Sequence, residues 1–340
     1  MHRFAQWSPV LLTIAVVAGP RPLRLVDPPD IRWRPDPPLQ GSLVVVLVRP
    51  SGDDTAAMVT GDVAGEPLHF EPDGHGSFAA LAGVPFSDAD TVTVRVTVGS
   101  PGRASGTFAA PLTVAKRTVT REQLRTPPQF TRPPDSALAA RLERERAMVL
   151  AVVEGAHSTP RLWSEPFARP RAAPIRSDFG LEREFNDVVE SRHLGVDYAG
   201  RRGAPVRAAN RGVVALVEDL FYAGRTVYID HGAGLLTAYM HLDRALVAPG
   251  DTVERGQVIG RVGSTGRVTG PHLHWLARYG AVLFDPRDLL TLDLTPLLPP
   301  DAVRAGTPPS RRPSGSPGPR PRRPGIPATS PAAPAARPAE

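Results

Sequence analysis

Short runs of β-forming residues, separated by glycines, fill the sequence from residue 175 to about residue 290 and constrain its fold more than any other feature. Such runs occupy residues 213–217, 226–229, 235–240 and 258–262. Apolar runs of this length bounded by glycine are typical of strands, and no helical spacing accompanies them. The pattern predicts a domain built of β-strands over residues 174–295.

A second β-rich segment, residues 41–116, precedes this domain. Residues 91–98 alternate between valine and polar side chains, as in a half-buried strand, and residues 43–48 form another apolar run. Several short strands separated by turn residues predict a small, immunoglobulin-like β-sandwich, so the fold class is all-β. No polar cluster in this segment looks catalytic. We expect His69 and His75, near a predicted turn, to be solvated.

The linker between the two domains, residues 117–173, contains one convincing helix over residues 136–153. Prolines stop any earlier start, and either Asp135 or Ser136 can cap the helix. Its apolar residues, Val149 among them, fall near one face. We therefore expect the helix to pack as a brace between the domains, followed by an extended Pro- and Arg-rich connection.

The two ends of the chain differ in composition from the domains. Residues 1–26 combine a basic start with a short apolar run, which predicts a signal peptide or an N-terminal anchor. We therefore expect export to the periplasm, cell envelope or exterior. Residues 296–340 are rich in Pro and Arg and predict a disordered tail. Binding of this tail to anionic wall or membrane polymers is one hypothesis, and a tail without a binding role is the other.

Charge and cysteine content limit the partners and the metal chemistry. The net charge of +6 includes seven arginines and two acids between residues 301 and 340, so the rest of the chain carries a net charge near +1. A basic folded surface for nucleic acid is therefore not indicated. The chain has no cysteine, so any metal must be held by His, Asp or Glu.

Histidines concentrate in the second domain, where five of the nine in the chain lie between residues 193 and 274. Residues two or four apart on a strand point to the same face, so His193 with Asp197, and His272 with His274, can each direct two side chains into one pocket. Imidazole and carboxylate are good zinc ligands, and a catalytic zinc takes three protein ligands. The constellation predicts a zinc hydrolase.

These residues belong to a longer series of ordered motifs. The series includes His193-Leu-Gly-Val-Asp197, Tyr239-Met-His-Leu242, Gly263-Ser-Thr-Gly266 and Gly270-Pro-His-Leu-His274. The series resembles the lysostaphin-type, LytM-like zinc metallopeptidases. The resemblance implies a compact antiparallel β fold with an open groove, and cleavage of peptide bonds in bacterial peptidoglycan.

Carried over by motif position, the resemblance implies that His193, Asp197 and His274 bind one zinc ion. It implies that His241 and His272 are catalytic histidines that do not bind the metal and act beside a zinc-activated water. A histidine near its usual pKa of about 6.5 can accept the proton of that water or donate one to the leaving amine. The sequence does not divide these two tasks between His241 and His272.

Four other polar residues of the domain lie near these motifs. His231 lies at a turn-like position that the family does not use for catalysis, and we expect it to be structural. Tyr239 lies two residues before His241, so substrate contact and core packing both stay open. Arg183 and Asn186 are candidates for the wall of the groove, without an assigned role.

Two other classes of protein share features with this sequence. The hairpin around residues 250–260 looks like that of biotinyl and lipoyl carriers, but the only lysine, Lys116, lies far outside it. Some relatives lose zinc ligands and act as wall-binding regulators that activate a separate amidase. Here all the ligand positions are present, which favours the enzyme. The bond cleaved, any regulatory partner and the oligomeric state are left open.

Overall fold

The computed structural model describes residues 24–51 and 58–299. The predicted signal peptide or anchor lies almost entirely outside the described residues, and so does the predicted tail from residue 300 onward. Among the residues described, strands far outnumber helices, and the prediction of an all-β fold is confirmed. No helix in this part of the chain is long and apolar enough to cross a membrane.

The N-terminal region is built of eight strands in two four-stranded sheets. The strands are β1 (Asp30–Arg34), β2 (Leu43–Arg49), β3 (Met58–Val63), β4 (Glu66–Pro67), β5 (Glu71–Pro72), β6 (Phe78–Gly83), β7 (Thr91–Gly99) and β8 (Gly106–Thr113). Their orders are β1-β2-β6-β5 and β4-β3-β7-β8. In β7, Val94, Val96 and Val98 are buried, and these valines share one apolar core with β2. The alternation therefore places one face of β7 in the core.

The C-terminal region centres on a ten-stranded sheet. Its strands are β10 (Ile175–Ser177), β13 (Val196–Ala199), β14 (Pro205–Arg207), β15 (Gly212–Leu220), β16 (Gly224–Gly232), β17 (Leu235–Ala245), β18 (Thr252–Val253), β19 (Val258–Val262), β20 (His272–Tyr279) and β21 (Val282–Phe284). The main path runs β10-β13-β20-β17-β16-β15-β18, and every pairing in this sheet is antiparallel. β13, β20 and β17 therefore lie side by side.

A third, three-stranded sheet joins the linker to the C-terminal region. It contains β9 (Arg121–Leu124), β11 (Glu182–Phe185) and β12 (Val189–Arg192) in the order β12-β11-β9. β9 comes from the predicted linker and pairs with β11 in parallel. The linker thus contributes a strand next to the C-terminal sheet, which its sequence did not indicate.

The linker helix, α1, spans Ser136–Gly155, and the Asp135 side chain caps it by accepting from the Leu138 N–H. The expectation that it braces the two domains is wrong. Val152 and Val153 pack on Leu236 of β17, so the helix covers the C-terminal sheet. Most of its other residues are exposed, because its charged residues leave only a narrow apolar stripe for packing.

The two regions contact each other closely. A Cβ on Gly83 of β6 would lie 2.8 Å from the Val282 side chain of β21. The close approach of these two strands therefore requires a residue without a side chain at position 83. The Tyr279 hydroxyl donates to the Pro67 carbonyl at 2.8 Å. His69 is partly buried here, with Nε2 2.9 Å from Nδ1 of His157, so the expectation that His69 is solvated is wrong. His75 is exposed, as expected.

The chain after the last strand also packs on both regions. Helix α2 spans Asp288–Thr291, and a 3-10 turn spans Thr295–Leu297. Leu297, placed by the sequence at the start of the tail, is 5% exposed and accepts a hydrogen bond from Arg161. The ordered fold therefore continues past residue 296, because the Leu297 side chain is buried in the apolar core.

Replacing Asp288 by Asn should raise the stability of the protein at pH 7 and above. Asp288 accepts from the Leu43 N–H at 2.8 Å, and burial raises its pKa to about 7. The cost of charging it is absent below about pH 4, where the unfolded chain is also protonated, and complete above about pH 7. An asparagine side chain at this position can keep the hydrogen bond without the charge. We expect a gain of about 2–4 kcal/mol at pH 8 that vanishes near pH 4.

Urea unfolding of the full chain at several pH values measures this difference. Asp88→Asn, a change at an exposed carboxylate, is the matched control and should have little effect. A gain for Asp288→Asn that is the same at pH 4 and pH 8 would contradict the electrostatic explanation.

Candidate metal and catalytic site

The pairing of β13 with β20 brings the predicted metal ligands together. Asp197 lies directly opposite His274 in this antiparallel pair, and Ala199 lies opposite His272. His193 precedes β13 in an irregular segment, so the same-face argument from the sequence does not apply to it. Two backbone hydrogen bonds fix His193 instead: its N–H donates to the Leu181 carbonyl at 2.8 Å, and its carbonyl accepts from the Gly180 N–H at 2.7 Å.

Three buried side chains converge on one point. Asp197 Oδ1 lies 2.8 Å from His274 Nδ1 and 3.1 Å from His193 Nε2, and the two nitrogens are 2.9 Å apart. These are the residues that could hold a metal ion, and their ligand atoms lie within 4.8 Å of one another. The edge of a tetrahedron of zinc ligands is about 3.3 Å for bonds of about 2.0 Å. The spacing of the three atoms is thus close to that of three corners of such a tetrahedron.

The hydrogen bonds of His193 determine which nitrogen faces the site. Its Nδ1 lies 2.6 Å from the Asp178 carbonyl, which can only accept, so Nδ1 carries the proton. Nε2 then presents its lone pair towards Asp197 and His274. A ligating histidine held by a carbonyl on its other nitrogen is the usual arrangement in metal sites.

The electrostatics favour an ionised Asp197 and a neutral His274. Burial opposes the charge on Asp197, but its contacts with the imidazoles of His193 and His274 outweigh burial and hold its pKa well below its usual range. Burial lowers the pKa of His274 to about 4. A carboxylate and two neutral imidazoles are the protonation states that a zinc ion requires of its ligands. This buried set of one oxygen and two nitrogen donors fits zinc.

His241 and His272 lie beside this cluster. Their ring centroids are 4.9 Å apart, and the His241 centroid lies 5.9 Å from that of His274. His241 Nδ1 donates to the Thr265 carbonyl at 2.9 Å, and His272 Nδ1 donates to the Gly270 carbonyl at 2.8 Å. When either ring is neutral, Nε2 is therefore its unprotonated nitrogen, and His272 Nε2 lies 3.6 Å from Asp197 Oδ1.

A β-bulge explains how His241 reaches the site. The register between β16 and β17 shifts near it, and His241 has a positive φ of 61°. The extra residue changes the face on which the following side chains lie. Tyr239 consequently does not share the face of His241: it is fully buried, and its hydroxyl accepts from the Ala209 N–H at 2.8 Å. Of the two alternatives for Tyr239, the structure supports core packing.

His231 and Asn186 have structural surroundings. His231 is fully buried, with Nδ1 2.7 Å from the Arg211 carbonyl and Nε2 2.8 Å from the Thr237 hydroxyl. Burial lowers its pKa to about 4. Asn186 has a positive φ of 52°. Its side-chain oxygen accepts from the Thr126 N–H, and its side-chain NH₂ donates to the Thr126 carbonyl. Neither side chain reaches the cluster.

Arg183 and Glu122 support the cluster from outside. Arg183 contacts Asp197 Oδ2 at 2.6 Å, which leaves Oδ1 to face the two histidines. Glu122 of β9 contacts the same arginine at 3.2 Å and accepts from the Ser177 hydroxyl at 3.1 Å. Sequence reasoning named Arg183 without a role and missed Glu122, because no pattern in the linker indicated that β9 pairs with β11.

The cluster opens into a cleft of about 930 Å³. Asp197, His241 and His272 line its floor, and residues from β9, from the segment before β10 and from the loop at 267–271 form its walls. His193 and His274 are buried behind them. A peptide-sized ligand can therefore reach both catalytic candidates and the metal position from one side.

The C-terminal region is similar in sequence to known peptidases. The profile of Peptidase family M23 matches residues 191–286. Peptidoglycan DD-endopeptidase ShyA of Vibrio cholerae is 49% identical over 83 residues, which are 24% of this chain and 19% of ShyA. DD-carboxypeptidase/endopeptidase Mpg of Neisseria meningitidis is 46% identical over 112 residues, 33% of this chain and 26% of Mpg. The chain thus covers about a fifth to a quarter of the length of these relatives.

Among solved structures, a candidate peptidase M23 from Pseudomonas aeruginosa matches with a TM-score of 0.56 and 27% identity. The match covers 74% of this chain and 94% of that one. The similarity in fold therefore extends well beyond residues 191–286.

Replacing Gly195 by Ala should weaken metal binding. A Cβ on Gly195 would lie 2.5 Å from His274 Nε2 and 2.7 Å from the Trp275 carbonyl, so the imidazole or the strand must move. We expect zinc affinity to fall at least about tenfold, the scale seen when the support of a metal ligand is lost. Competition with a chromogenic chelator measures the affinity. Gly155→Ala, at the end of α1 where a Cβ meets nothing within 4 Å, is the control. Equal zinc affinity for both variants would contradict the prediction.

Proposed function

Residues 191–286 belong to peptidase family M23, and from this we propose that the chain is a zinc-dependent endopeptidase that hydrolyses peptide bonds in bacterial peptidoglycan. The observation that carries the proposal is the meeting of His193, Asp197 and His274 directly behind the floor of an open cleft, which Asp197 lines. Proteins that only bind the wall would not need this buried donor set, whose assembly requires charged and polar groups to be taken out of water.

In this proposal His193 Nε2, Asp197 Oδ1 and His274 Nδ1 hold the zinc ion. When bound, zinc supplies a Lewis acid that polarises the scissile carbonyl and makes a water molecule acidic enough to attack near neutral pH. Arg183 keeps Asp197 in place by occupying Oδ2. The Asp178 carbonyl keeps the His193 ring in one orientation and one tautomer.

His241 and His272 handle protons. In the neutral form of each ring the unprotonated nitrogen is Nε2, because Nδ1–H donates to a backbone carbonyl. Burial, followed by the neighbouring His272 and His274, lowers the pKa of His241 well below its usual value, so His241 is neutral in the resting protein. A neutral imidazole beside the attacked carbonyl can take a proton from the nucleophile and return it to the leaving amine.

The substrate class comes from the relatives. ShyA is named as a peptidoglycan DD-endopeptidase and Mpg as a DD-carboxypeptidase/endopeptidase. We extend only the shared part to this chain, which is hydrolysis of a peptide bond in the stem or crosslink peptides. Such a substrate lies outside the cytoplasm, so the proposal includes export to the periplasm, cell envelope or exterior.

Digestion of purified sacculi by the full chain tests the proposal. We expect release of peptide-linked fragments that a chelator abolishes and zinc restores. Asp197→Ala should lose both zinc and activity. His272→Ala should keep zinc, while activity falls at least about 100-fold, the usual contribution of a general acid or base. His75→Ala, a change at an exposed histidine in the other region, is the matched control and should retain both.

Two outcomes would contradict the proposal. Hydrolysis by Asp197→Ala at the rate of the unaltered chain would remove the metal site from the reaction. Zinc binding and tight association with sacculi, without any released fragment, would instead favour a wall-binding regulator of a separate amidase.

A further inference from the structure

The walls of the cleft carry an excess of positive charge. Five arginines line it, namely Arg171, Arg176, Arg183, Arg201 and Arg267, against the two carboxylates of Glu122 and Asp197. Both carboxylates already form ion pairs with Arg183. Arg171 donates to the Ala199 and Pro205 carbonyls, which are neutral. The remaining arginines therefore have no negative charge in the cleft to neutralise them.

Arg267 is the most constrained of these arginines. Its guanidinium carbon lies 4.2 Å from the ring centroid of Phe185 and 4.9 Å from that of Tyr222. Its backbone N–H donates to the Tyr222 carbonyl at 2.8 Å, which ties the loop to the same aromatic residue. Two aromatic contacts hold the guanidinium more firmly than a surface arginine is held.

Within the described ranges, this guanidinium has no anionic partner. Among the described residues, no carboxylate lies within ion-pair distance of Arg267, and no hydrogen bond from its side chain is formed. Burial lowers its pKa, and the nearby charge of Arg183 acts in the same direction. A partly buried cation without a counter-ion is costly, and in a binding cleft that cost is recovered when an anionic ligand arrives.

We propose that Arg267 binds a free carboxylate of the substrate peptide next to the scissile bond, so that the cleft selects anionic peptides over their amidated forms. The inference rests on the proposed function, because it assigns part of the same cleft. A planar guanidinium donates two parallel hydrogen bonds to a carboxylate, and the contacts of Arg267 with the rings of Phe185 and Tyr222 restrict its position before the ligand binds.

Arg176 and Arg201 add to this selection at the rim. Both are exposed, and neither forms an ion pair within the described part of the chain. Exposed charges of this kind attract an anionic ligand over a distance set by the ionic strength. Their effect should therefore fall with added salt, whereas the selection by the more buried Arg267 should persist.

Hydrolysis of two matched crosslinked peptides tests the inference. The peptides are identical except that the free carboxylates next to the scissile bond are primary amides in the second. With the full chain and bound zinc, we expect kcat/KM for the carboxylate peptide to exceed that for the amide at least about tenfold, as expected for hydrogen bonds to a charged group. Arg267→Gln should abolish this preference, and Arg267→Lys should retain part of it.

Arg244→Gln is the matched control. Arg244 is an exposed arginine of the same sheet that does not line the cleft, so its loss should leave the preference unchanged. Thermal unfolding of each variant checks that it folds. The inference is overturned if the unaltered chain hydrolyses both peptides equally, or if Arg267→Gln slows both by the same factor, as a structural residue would.

Measuring the affinities of the two peptides tests this inference separately from the proposed function. If the unaltered chain hydrolyses neither peptide, the proposed function fails, and the affinities of the same two peptides decide the inference. Titration calorimetry would then compare His272→Ala with the double variant His272→Ala/Arg267→Gln. Tighter binding of the carboxylate peptide to the first, lost in the second, supports the carboxylate site, and equal binding of both peptides overturns it.

Discussion

The antiparallel pairing of β13 with β20 is the interaction on which the site depends. It sets Asp197 opposite His274 across two neighbouring strands, so the distance between their side chains is fixed by the backbone ladder. β20 pairs on its other side with β17, the strand that carries His241. Three adjacent strands in the middle of one sheet therefore hold most of the site, and the sheet cannot shift by one residue without turning these side chains to the other face.

Four residues of the site are each also held by a second group that lies away from the ligand position. Carbonyls of irregular segments fix the tautomers of His193, His241 and His272, and Arg183 occupies the outer oxygen of Asp197. These partners satisfy polar atoms that burial would otherwise leave unpaired, and they leave one nitrogen or oxygen of each side chain free. The inward atoms are thus arranged before any metal or substrate binds.

Residues outside the segment that matches family M23, residues 191–286, also line the cleft. Glu122 and Leu124 of β9 line it, although this strand comes from the linker before residue 191. Arg183 and Phe185 of β11, which also line it, lie outside the matched residues. The N-terminal region packs against β21 and α2 through Gly83 and Leu43, on elements that follow the catalytic strands. The chain around the matched segment therefore determines the shape and charge of the entrance.

The sequence by itself indicated the class of the fold, because strand periodicity is a local pattern that needs no knowledge of packing, and its resemblance to a known family indicated the residues that meet in the site. It could not decide the face of Tyr239, since a bulge at His241 interrupts the alternation. Nor could it decide the position of α1, the burial of Leu297 or the pairing of β9 with β11, because each depends on apolar surface or free backbone groups contributed by residues distant in sequence. The uncompensated charge of Arg267 likewise emerged only from the tertiary structure. Whether an arginine has an ionic partner depends on which carboxylates lie near it in space, and the two carboxylates of the cleft pair with Arg183 instead.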